Sequence, residues 1–150
     1  MQEIKTSNIR INPNIWLLII LLIYCLASLL HFVHNAVFID DYPNLPSWIS
    51  DVGIYITWLA ITGIGIVGYL LIHYGKRFIG LVTCAVYGAI GLDGLGHYSL
   101  APISAHTFTM NFTIWFEATT ATIVLIVVTS FIVRHFKTPS QPDQNNLQNA

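Results

Sequence analysis

The chain has 150 residues, 55% of them hydrophobic and only 9% charged, with a formal net charge of −1. A soluble domain carries about 25% charged residues, so this composition excludes an ordinary water-soluble fold and points to a membrane protein. A net charge so close to zero offers no basic footprint for nucleic acid, and no nucleic-acid partner is expected.

The chain opens on a polar segment, residues 1–14, followed by an apolar run over 15–37. That run exceeds the roughly 7–15 residues of a signal-peptide core and lacks a small-x-small cleavage site, so it is expected to stay as a first membrane span. His31, His34 and Asn35 lie near its end. Residues 38–48 carry Asp40, Asp41, Pro43 and Pro46, and the prolines predict an ordered turn. The second span is expected over 49–72, with Ser50 or Asp51 as its N-cap. A turn at Gly75 carries Lys76 and Arg77. The third span, 78–100, is interrupted only by Asp93 and His97, and it is rich in glycine. Residues 101–111 hold Pro102 and His106, and the fourth span, 112–133, is interrupted only by Glu117. The tail over 138–150 is polar, holds two of the chain's prolines and has no apolar face, so it is expected to be disordered.

About 20 apolar residues suffice to cross a bilayer, and backbone groups in lipid must be paired internally, so each run predicts a helix. Short connections make successive helices antiparallel neighbours. The expected fold is an all-α, up-down-up-down bundle of four transmembrane helices. All the Lys and Arg residues, Lys5, Arg10, Lys76, Arg77, Arg134 and Lys137, fall on one side of it. The positive-inside rule then predicts a cytoplasmic (inner or plasma) membrane protein with both termini in the cytoplasm and loops 38–48 and 101–111 outside. Trp16, Trp48 and Trp115 fall near span ends, where aromatic belts form.

No Lys or Arg accompanies the acids at the other side, and an unpaired charge within a span is costly. Counting about 1.5 Å of rise per residue, His31, Asp93 and Glu117 share one depth, roughly 7–9 Å outward from the middle of their spans. Asn35 and His97 form a layer about one turn further out. In regular helices Asp93 and His97 are i and i+4 and share a face, as do His31 and Asn35, whereas His34 points about 100° away. Thr113, Glu117 and Thr120 form one stripe of the fourth span. Imidazoles and carboxylates gathered in a low-dielectric pocket suit a divalent transition metal: zinc, iron or copper. Expected ligands are His31, Asp93 and His97, with His106 as a further ligand or lid. Glu117 is general base or fourth ligand, and His34, Asn35 and Thr113 support the set. Met1 and Met110 are the only methionines, and Cys25 and Cys84 sit in apolar runs at different depths, so neither a thioether copper site nor a disulfide is expected. His31 and His97 are also the pair that would bracket a haem.

The triplet Asp93, His97 and His106 is similar to a metal-ligand pattern in one subunit of the copper membrane monooxygenases, where an Asp-x3-His is followed by a further His. The likeness covers those three residues and implies a way of building a site. Three functions remain open. One is a metal-dependent membrane hydrolase or oxidase acting on a lipid or small apolar substrate through an activated water. The second is a non-enzymatic metal- or proton-handling protein. The third is a structural subunit of a homo-oligomer or larger membrane complex. In a purely structural reading, Glu117 bonds a neighbouring helix and Asp93 pairs with His97.

Overall fold

The described part of this computed structural model is residues 13–137, and it contains helices and turns but no strand. Lys5, Arg10 and the tail beyond Lys137 lie outside the described residues. Helix α1 runs over Pro13–Val37, with proline at the first position, where its missing N–H costs no hydrogen bond. Helix α2 (Asp51–His73) starts at Ser50, whose hydroxyl accepts the Gly53 N–H at 3.1 Å. It stops where Gly75 takes φ 83° and the Lys76 N–H reaches back to the Leu71 carbonyl at 2.8 Å.

Helix α3 (Arg77–Ile90) does not continue regularly to residue 100. The backbone opens to ψ −3° at Gly91 and −10° at Leu92, tightens into a 3-10 turn over Asp93–Gly96, and resumes as a one-turn helix α4 (His97–Leu100). Gly91, Gly94 and Gly96 give this stretch little helix propensity. Asp93 and His97 are therefore not stacked on one face of a continuous α-helix, as the spacing predicts. Helix α5 (Phe108–Lys137) starts earlier than the apolar pattern indicates, because the Thr107 hydroxyl accepts the Met110 N–H at 3.3 Å and caps it.

Four stretches are long and apolar enough to cross a membrane: Asn14–Val37, Asp51–His73, Arg77–Leu100 and Phe108–Lys137. Their outer faces expose Leu22, Leu26, Ile56, Leu59 and Ile126, a surface suited to lipid. The chain is a multi-pass, all-helical membrane protein. Helix α1 packs against α2 and α5, and α3 packs against the same two. Helices α2 and α3 run antiparallel: Gly68 meets Gly80 and Cys84 while Gly65 meets Tyr87. A Cβ on Gly80 would lie 2.7 Å from the Gly68 carbonyl oxygen, so only glycine allows this approach. Leu17, Leu21, Ile72, Leu81, Cys84, Val124 and Val128 form the buried core.

The described Lys and Arg residues sit together at one end, on the α2–α3 turn and the last turn of α5. There Phe78 stacks on His135 at 6.0 Å, and Arg77 lies over the Phe131 ring at 5.9 Å. The described acids and most of the described imidazoles lie at the opposite end.

Candidate functional site

On α1, Tyr24, Ser28, His31 and Asn35 recur every three or four residues, which places them on one inward stripe. Tyr24, Ser28 and His31 are buried, and Asn35 is half-buried. On α5, Thr113, Glu117 and Thr120 form the buried stripe opposite. His31 and Glu117 meet where the stripes face each other, each 2% exposed, with His31 Nε2 at 3.6 Å from Glu117 Oε2.

Hydrogen bonding fixes the chemistry of that meeting. The Thr113 hydroxyl donates to the Met110 carbonyl at 3.0 Å, so toward His31 Nδ1, 3.3 Å away, it can only accept. The proton of His31 therefore sits on Nδ1, and Nε2 presents a lone pair. The Asn35 amide nitrogen lies 3.1 Å from that Nε2 and 3.3 Å from His97 Nε2, donating one N–H to each. Glu117 Oε2 has no hydrogen-bond partner in the protein. An acceptor nitrogen facing a carboxylate oxygen across 3.6 Å is unfavourable unless a proton or a cation sits between them.

The broken third helix presses its backbone against this pair. A Cβ on Gly94 would stand 3.2 Å from Glu117 Oε2 and 3.5 Å from His31 Nε2. Above it the His97 ring lies 5.4 Å from His31, nearly perpendicular, and 4.9 Å from the Tyr42 ring. The His106 ring is 6.2 Å from His97. Its Nδ1–H donates to the Pro102 carbonyl at 3.0 Å, which leaves a buried Nε2 lone pair with no partner. Burial pushes the Tyr42 phenol far above its ordinary range, so it keeps its proton. Its hydroxyl is hydrogen-bonded to His34 Nδ1 at 2.8 Å.

A cavity of about 620 Å³ opens beside these groups, between α1, α2 and the broken third helix, beneath the 42–50 loop. His31, Asn35, Asp93, His97 and Glu117 lie on its wall together with Tyr24, Ile54 and Ile61. Of the residues singled out from the sequence, those first five share the cavity. His34, His106 and Thr113 are not on its wall but stand behind it, held to Tyr42, Pro102 and His31. Sequence reading missed Tyr42, Ser28 and the outer half of α2. Ser28 had a signal, because it continues the His31–Asn35 stripe inward with Tyr24. Tyr42, in an irregular loop, had none.

Among the described residues, no group of three or more His, Cys, Asp or Glu side chains is arranged to hold a metal ion. Asn35 occupies the place between His31 and His97. Cys25 and Cys84 are free thiols, and Cys84 packs against Gly68 rather than at the cavity. Comparison with protein-family models, curated proteins and solved structures finds no match to this chain, so its function is read from the site itself.

Proposed function

We propose that this membrane protein binds a small amphiphilic molecule in the cavity. The polar head lies among Glu117, His31, Asn35 and His97, and the apolar body lies along Tyr24, Ile54 and Ile61. The observation that carries this reading is the unpartnered Glu117 Oε2, 3.6 Å from His31 Nε2 on the wall of a 620 Å³ cavity. Ligand sites have about this size, are mostly apolar, and carry a few convergent polar groups. The charge pattern supports the topology expected from sequence: basic end in the cytoplasm, cavity toward the extracytoplasmic side. In the catalytic form of this reading, Glu117 is the general base on the bound molecule.

Extraction and mass spectrometry of protein purified in detergent tests the proposal. A molecule at fixed stoichiometry is expected with the wild type and is expected to be lost from Gly94→Leu, whose side chain fills the space before Glu117. Equal recovery of every co-purifying lipid from both proteins would refute a specific pocket.

A second reading, a transition-metal centre of His31, His97 and His106 with Glu117 or Asp93, is favoured by one specific feature. His31 and His106 both engage Nδ1 and leave Nε2 as a lone pair, the arrangement that orients metal-binding imidazoles. It requires Asn35 to leave the place between the two rings. Elemental analysis of wild type against His97→Ala separates the readings: stoichiometric zinc, iron or copper in the wild type and not in the variant selects the metal centre.

A further inference from the structure

We infer that the molecule held in this cavity is a hydrophobic cation, an organic ammonium head on an apolar body. The inference rests on the pocket reading above and adds the chemical class of the ligand. The unpaired polar atoms that face the cavity from its deepest residues are acceptors: Glu117 Oε2 and Asn35 Oδ1. The donors of His31 and Asn35 are already committed. The Asn35 N–H groups go to the two imidazoles, and the His31 Nδ1–H goes to Thr113. A ligand that completes this site has to donate hydrogen bonds or bring positive charge.

Charge gives the same answer. Asp93 and Glu117 line the cavity, no Lys or Arg does, and the described basic residues lie at the far end of the bundle. A carboxylate or phosphate head would enter a site with two acids and no basic partner to pair with. An ammonium supplies the missing charge. The walls suit it as well, because Tyr24, Phe32, Tyr42 and Trp48 present aromatic rings to the cavity and aromatic faces attract cations. Glu117 is 98% removed from solvent, so a charge-assisted contact there is worth more than one at the surface.

The test uses three probes with one body and three heads: 4-phenylbutylamine, 4-phenylbutanol and 4-phenylbutyrate. Each is titrated calorimetrically into the full-length protein in lipid nanodiscs at neutral pH, with empty nanodiscs as reference. The amine is expected to bind about tenfold or more tighter than the alcohol, and the butyrate is expected not to bind. In Glu117→Gln the ratio of amine to alcohol affinity is expected to fall to about one. The wild-type head series decides the matter even if that variant fails to fold. Alcohol binding equal to or tighter than the amine overturns the cation while leaving the pocket standing. Binding of none of the three overturns both. An amine preference that persists in a folded Glu117→Gln overturns the assignment to that carboxylate.

Discussion

At the basic end of the bundle, Leu17, Leu81 and Val128 belong to one buried cluster beside the close approach of Gly68 and Gly80. At the acid end the same helices leave Ser28 Oγ, Asn35 Oδ1, His106 Nε2 and Glu117 Oε2 buried without partners and line an open cavity of about 620 Å³. Lipid provides no hydrophobic drive between helices, so their association rests on fit. The chain concentrates that fit at one end. The other end keeps unsatisfied polar atoms that a structure built only for stability would have lost, and such local departures mark functional sites.

The sharpest way to break this comparison is to substitute both ends and compare signs. Leu81→Ala removes a side chain that is 1% exposed from the tight end and is expected to cost about 2–5 kcal/mol. Glu117→Leu replaces an unpaired buried acid by an apolar side chain of similar reach and is expected to stabilise the folded protein by about 1–3 kcal/mol while abolishing ligand binding. Reversible unfolding in mixed micelles measures both. If Glu117→Leu destabilises the bundle as Leu81→Ala does, Glu117 is a structural residue and the two ends do not differ in kind.

The two ends also differ in how much could be read from sequence. Composition and four long apolar runs specify the helices, because in lipid the backbone has no alternative to the helix. His31, Asn35, Asp93, His97 and Glu117 were legible as a group because each is a polar residue in an apolar span, and depth along a helix follows from residue count alone. Which of them touch was not legible. The 3-10 turn that brings Gly94 alongside Glu117 and His31 was not legible either, because a depth count assumes regular helices. Asn35, one turn from His31 and expected to support a metal set, sits between the two imidazoles and donates to both. Tyr42 reaches His34 and His97 from a loop whose path no periodicity encodes.

A smaller effect sharpens the role of the broken helix. Gly94→Ala adds one methyl at 3.2 Å from Glu117 Oε2, which the turn absorbs with a slight shift. Stability is expected to change by less than about 1 kcal/mol, but affinity for the bound molecule is expected to fall several-fold, because the methyl takes the space in front of the acid. Gly63→Ala, where a Cβ meets nothing within 4 Å, is the matched control in α2. Equal affinities in the two variants would show that the ligand does not approach Glu117 past Gly94.

The smallest expected effect tests the hydrogen bond that sets the direction of the His31 lone pair. Thr113→Val keeps the branched shape and removes the hydroxyl that accepts the Nδ1–H at 3.3 Å. The energetic cost is about 0.5–1.5 kcal/mol, that of one buried hydrogen bond. The informative readout is the ring itself. Nitrogen-15 spectra of His31 are expected to show the proton on Nδ1 in the wild type. In Thr113→Val only the Asn35 N–H to Nε2 still favours that form, and Nε2–H toward Glu117 gains ground once that amide turns its oxygen to the ring, so the spectra are expected to shift in part toward the other tautomer. That shift turns the acceptor facing the cavity into a donor aimed at the acid, and ligand affinity is expected to fall with it. Unchanged ring spectra in the variant would mean that Thr113 does not hold the imidazole, and that the acceptor character of the site has another origin.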